Sequence, residues 1–143
     1  VQDNSAVFSQ NPRAVIEALC AVLVDRGELA ASLAGEIGGN AAAAFESSGA
    51  AEISSESVQL ARDRLVALVR EDARHYVRDR GGRYVVNVAI EAVDGGTRVT
   101  VTPTFIAYVP GMETPLGGRP LPSNGMLERT ILDALGARLQ GGP

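Results

Sequence analysis

From Tyr84 to Phe105 the chain alternates apolar and polar residues with a period of two, and this alternation limits the fold more than any other feature. Successive side chains on a strand point to opposite faces. Tyr84, Val86, Val88, Ile90 and Ala92 therefore share one side, and Val85, Asn87, Ala89 and Glu91 the other. Asp94-Gly95-Gly96 supplies residues that tolerate a tight turn, after which Val99, Val101 and Phe105 alternate with Arg98, Thr100, Thr102 and Thr104. The spacing predicts an antiparallel hairpin over 84–92 and 98–107 with one face buried. Pro103 has no N–H to give to a ladder, so the second strand is a sheet edge there or carries a bulge. A lone hairpin is marginal in water, so its edges need partner strands and its apolar face needs helices.

Those helices are signalled unevenly. Asn11 is a cap followed by Pro12, whose missing N–H costs nothing at the first helical position. Val15, Leu19 and Val22, with Ile16, Cys20 and Leu23 on the next ridge, then predict a helix over 12–26 that ends at Gly27. In 28–53 the signals conflict. Leu29, Leu33 and Ile37 have helical spacing, yet Gly35 and Gly38-Gly39-Asn40 punctuate the run as a turn would. The hairpin's need for edge partners favours strands near 28–34 and 41–47. Ser54, flanked by Ile53 and Val58, reads as the capped start of a long helix over 55–79, with Val58, Ala61, Leu65, Leu68, Val69, Ala73 and Tyr76 as its apolar stripe. Four prolines make 110–124 a long loop. A last helix over about 124–139, capped by Ser123 or Asn124, carries Leu127, Ile131, Ala134 and Leu135 on one face. The polar stretch 1–10 reads as a flexible N-terminal segment. The expectation is one α+β domain over 11–140: an antiparallel sheet of about four strands with three helices packed mainly on one face.

Composition narrows the function. With 143 residues and 45% hydrophobic content the chain can bury a core without a metal or disulfide, and Cys20, being alone, excludes a disulfide scaffold. No apolar run is long enough for a membrane span. A net charge of -4 argues against nucleic acid as a partner, and an aromatic content of 4% without tryptophan leaves little for base stacking. Catalysis finds no foothold. His75 is the sole histidine, Cys20 sits on an apolar helical face where a thiol is inert, no phosphate-binding or nucleophile-elbow motif is present, and no spacing selects a pair of carboxylates. A non-enzymatic chain with no catalytic residues, no metal site and no cofactor is expected.

Two segments remain as contact candidates. Arg70, Arg74 and Arg78 recur at i+4, with Arg83 close by, and arginine's planar fork suits carboxylate or phosphate. They are candidates for binding an anion or a partner. The plain alternative is a solvated helix side paired locally with Glu71, Asp72 and Asp79. In the proline-rich loop, Met112, Leu116 and Leu121 form a semi-rigid apolar segment that either docks a partner or folds back as a lid on the core.

The order of these pieces resembles bacterial envelope lipoprotein domains of the helix-grip, BamC-like type. The resemblance is carried by a helix ending in LVDRG (23–27) before a weak strand pair, by the hairpin RYVVNVAIEAVDGGTRVTVTPTF (83–105), and by the proline-entered terminal helix PLPSNGMLERTILDALGARL (120–139). The quoted stretches cover about a third of the chain. It implies a periplasm-facing module, tethered to the outer membrane by a lipid anchor that would precede Val1, and used for protein contacts or assembly. The expected partner is a protein of the cell envelope. The alternative is a carrier that holds a small apolar ligand between the sheet and the long helix.

Overall fold

The alternation from Tyr84 to Phe105 forms the expected hairpin, and the rest of the chain is arranged around its two edges and its apolar face. In the computed structural model, residues 4–109 and 118–141 are described. The elements run β1 (Ser5–Phe8), α1 (Pro12–Asp25), α2 (Ala31–Ser48), β2 (Ala50–Ser54), β3 (Val58–Leu60), α3 (Arg62–Leu68), a 3-10 helix (Glu71–Tyr76), β4 (Gly82–Val93), β5 (Gly96–Ala107), β6 (Arg119–Leu121) and α4 (Met126–Gly141). The class is α+β, as the alternation and the amphipathic segments require. The counts exceed the expectation: among the described residues the antiparallel sheet has six strands, and four α-helices accompany it.

β4 and β5 pair without interruption from Gly82 opposite Ala107 to Val93 opposite Gly96. β2 and β3 share the outer edge of β4, and β1 and β6 share the outer edge of β5. Pro103 lies where neither β1 nor β6 reaches: β1 pairs with 97–100 and β6 with 105–107. The Val101 N–H donates to the Asn4 carbonyl on that same side at 2.8 Å, so the N–H that Pro103 lacks would have pointed into the gap. The register with β4 continues through Val86 opposite Pro103, so the site is a local edge and not a bulge.

Period-two burial follows the sequence. Val86, Val88, Ile90, Val99, Val101 and Phe105 are fully buried, whereas Ala89, Glu91, Arg98 and Thr102 are exposed on the opposite face. α1 and α4 lie on the buried side. The Asn11 carboxamide oxygen accepts from the Ala14 N–H at 2.9 Å, starting α1 at its proline. α1 is the central helix, because it packs against the sheet, α4 and α2, and it buries Val15, Ile16, Leu19, Cys20 and Leu23. α4 begins where the Asn124 side chain accepts from the Met126 N–H and Ser123 Oγ accepts from the Gly125 N–H, so both expected capping residues take part.

Three expectations are corrected. The segment 1–10, read as flexible, contains β1, because the exposed edge of β5 offers backbone partners to any strand-compatible neighbour. The two strands expected in 28–53 are instead the helix α2. The i+4 spacing of Leu33, Ile37 and Ala41 and the alanine run at 41–44 outweigh the glycines, whose cost is about 1 kcal/mol each. A Cβ on Gly38 would come into contact with Cys20 Sγ at 3.4 Å, where α2 crosses α1. The long helix over 55–79 is broken into β3, α3 and the 3-10 helix. Ser54 lies in β2 and donates to Asn87 Oδ1, and the Ser55 hydroxyl accepts from the Val86 N–H, so the β4 edge takes the residues read as a helix start. Further on, the Arg70 N–H donates to the Pro122 carbonyl, and Val69 bridges to Ser123. Tertiary backbone pairing thus overrides helix propensity.

Two glycines separate packing from propensity. At Gly82 the space for a Cβ is filled by the Ile106 carbonyl and by Leu65 Cδ2, whereas nothing lies within 4 Å of a Cβ on Gly39 of α2. Gly82→Ala is expected to cost roughly 3 kcal/mol, and Gly39→Ala to add about 0.5–1 kcal/mol. Urea denaturation midpoints that move in opposite directions are the expected result, and a Gly82→Ala midpoint equal to that of the parent would contradict this packing.

Candidate interaction site

Arginine is concentrated at one end of the hairpin. The segment 62–83 holds Arg62, Arg64, Arg70, Arg74, Arg78, Arg80 and Arg83, seven of the chain's 13 arginines, against Asp63, Glu71, Asp72 and Asp79. A local excess of positive charge therefore stands in a chain of net charge -4. The expected single helical row is not formed. Arg70 lies between α3 and the 3-10 helix, Arg74 within that helix, Arg78 beyond it, and Arg83 on β4 opposite Gln59. The row breaks where Val69 and Arg70 pair with 122–123 instead of continuing a helix. The local-pairing alternative holds for Arg70, whose Nε and terminal nitrogen each reach an Asp72 carboxylate oxygen at 3.0 Å. Those hydrogen bonds hold the Asp72 carboxyl below its usual range. Arg78 donates to the His75 carbonyl at 2.8 Å, and Arg74 is exposed.

The sheet brings in members that spacing could not reveal. Arg119 of β6 places its guanidinium carbon 3.5 Å from the Tyr76 ring centre, and Arg80 lies 5.8 Å from that of Tyr108, at the end of β5. His75 and Tyr76 stack with ring centres 3.9 Å apart. The Tyr108 hydroxyl donates to Gln59 of β3 at 2.6 Å, and Arg62 reaches Asp79 at 3.3 Å. Two of the three tyrosines and the sole histidine thus gather among the arginines. An open hollow of about 460 Å³ lies among Arg62, Val77, Arg78, Asp79 and Arg80. The arginine density was visible in the sequence, but Arg119 and Tyr108 join only through strand register.

Of the apolar loop candidates, Met112 and Leu116 lie outside the described residues. Leu121 is only 6% exposed and sits opposite Phe105 in the β5–β6 pair, so it caps the core and is not a free docking residue. Sequence reasoning also missed Glu28, which is fully buried. Its carboxylate accepts from the Tyr84 hydroxyl at 2.6 Å and from Arg26 at 2.9 and 3.2 Å, so the buried charge is paired on both oxygens. This cluster ties the α1–α2 connection to the start of β4. Burial raises the Tyr84 phenol above its ordinary value, and the neighbouring Glu28 carboxylate raises it further.

An open groove of about 470 Å³ runs between α1 and α2, with Ile16, Cys20, Ala34 and Ala42 in its lining and Arg13 and Glu17 also bordering it. Arg13 bridges to Glu46 of α2 at 3.0 Å. Burial pushes the Cys20 thiol up, away from the reactive thiolate. No group of histidine, cysteine and carboxylate side chains among the described residues could hold a metal, and no described helix is long and apolar enough to cross a membrane.

These features define an α+β domain with helices on one face of an antiparallel sheet and a cationic, tyrosine-bearing end. Comparison with known proteins returns no matching family model, no matching curated protein and no matching solved structure.

The buried phenol gives a signed pH dependence. Above the ordinary tyrosine pKa of 10 an unfolded Tyr84 loses its proton while the folded one keeps it, so the unfolded state binds fewer protons and stability falls as pH rises. The loss approaches about 1.4 kcal/mol per pH unit above that value. Tyr84→Phe is expected to be less stable than the parent at pH 7 by about 1–3 kcal/mol, because Glu28 loses a hydrogen-bond donor. It should also decline less steeply between about pH 10 and 11. Parallel slopes in urea titrations would contradict the buried hydrogen bond.

Proposed function

We propose that the chain is a non-enzymatic protein-interaction or assembly module of the cell envelope whose working surface is the arginine- and tyrosine-rich end of the hairpin. One observation carries this reading: Arg119 of β6 lies over Tyr76 of the 3-10 helix and Arg80 stands near Tyr108, the residue after β5, beside a stretch that also holds the exposed Arg74 and Arg78. Arginine and tyrosine are the residues that dominate binding energy at protein interfaces, because each joins a large flat contact to hydrogen-bonding capacity. The periplasm-facing, membrane-tethered location is supported by the resemblance in element order alone. Of the three pieces that carry it, the hairpin and the terminal helix occupy their expected places, while the weak strand pair is replaced by α2.

A second reading, a carrier of a small apolar ligand, is favoured by the groove between α1 and α2. Its position differs from the one expected, because the long helix that was to cover the sheet does not form.

A photo-reactive residue at position 74, compared with one at the exposed position 133 of α4, tests the module in the native host. Discrete protein adducts from position 74 and none from position 133 are expected. Equal yields from both positions, or none from either, would remove the interaction reading. An unfolding temperature raised by palmitate, with no protein adduct, would favour the carrier.

A further inference from the structure

We propose that the arginine- and tyrosine-rich end binds an extended protein segment rich in aspartate and glutamate. The inference rests on the interaction reading above and adds the chemistry of the partner. Not every arginine at this end is free: Asp72 is taken by Arg70 and Asp79 by Arg62. Arg64, Arg74 and Arg80 have no carboxylate partner among the described residues and are exposed. Arg119 lies over the Tyr76 ring at 3.5 Å and Arg80 stands 5.8 Å from the Tyr108 ring centre, so both guanidinium groups have an aromatic neighbour before a partner arrives. Both keep edge N–H groups to meet carboxylates.

The same surface discriminates among anions. Asp63, Glu71, Asp72 and Asp79 are interspersed with the arginines, so a uniform polyanion or a planar anionic membrane would meet four carboxylates along with the cations. A protein segment can instead place its own carboxylates opposite Arg74, Arg78 and Arg80 and spare those positions.

The test uses the full chain labelled with nitrogen-15, reading the arginine Nε–H signals. The probe is a dodecapeptide of alternating glycine and glutamate; its lysine counterpart, vesicles containing phosphatidylglycerol and a thymidine dodecanucleotide are the comparison arms. Saturable shifts at Arg74, Arg78 and Arg80 with the glutamate peptide alone are expected. Binding should weaken about fivefold in Arg74→Ala/Arg80→Ala at an unchanged unfolding midpoint, and should weaken further in about 0.5 M salt. Tighter binding of the vesicles or of the oligonucleotide at these arginines would overturn the proposal, as would peptide shifts spread equally over Arg13, Arg98, Arg129 and Arg138. Protein adducts at position 74 without peptide binding would overturn the acidic-segment inference alone. Peptide binding without any protein adduct would overturn the interaction module and leave only the chemistry of the surface.

Discussion

The pairing of β4 with β5 is the constraint on which the other elements depend. Twelve residues of each strand are joined in register, with Val86, Val88, Ile90, Val99, Val101 and Phe105 on a single face. A ladder of this length leaves two open edges and one apolar face, and each of these demands a partner. β2 and β3 close one edge, β1 and β6 close parts of the other, and α1 and α4 cover the face. The interruption at Pro103 shows the same logic, because strand pairing stops where an N–H is missing.

Polar groups settle details that apolar burial leaves open. Glu28, buried and held by Tyr84 and Arg26, fixes where the α1–α2 connection meets β4. The segment 122–124 does similar work at the other side: Pro122 and Ser123 pair with 69–70, and the Asn124 carboxamide donates to the Ala67 carbonyl at 2.8 Å. By stopping α3 after Leu68, these contacts turn a would-be helical row of arginines into a cluster around the end of the sheet. The cationic surface is thus a product of the edge pairing and not of helix periodicity.

The hairpin, α1 and α4 were legible in the sequence because their signals are local: alternation about a glycine turn, Asn11 before Pro12, and Ser123-Asn124 before an apolar stripe. β1, β2 and β3 were not legible, because short edge strands owe their form to the strand beside them. The need for edge partners holds, but 28–34 and 41–47 do not supply them, because helix propensity prevails there. For the site, the density of arginine in 62–83 was plain, and Arg70, Arg74, Arg78 and Arg83 do lie at this end. The stacking of Arg119 on Tyr76 joins residues far apart in sequence, and Glu28 reads as an ordinary surface acid until strand register brings Tyr84 to it.

Native-state hydrogen exchange tests the central role of the hairpin most directly, because it ranks backbone hydrogen bonds by the free energy needed to open them. The amides of the β4–β5 ladder, Val85, Asn87, Ala89, Thr100 and Thr102 among them, are expected to exchange only through global unfolding, and the amides of α2 through a smaller opening. Exchange of the β4 and β5 amides as fast as those of α2, or faster, would contradict the hairpin as the element on which the fold is built.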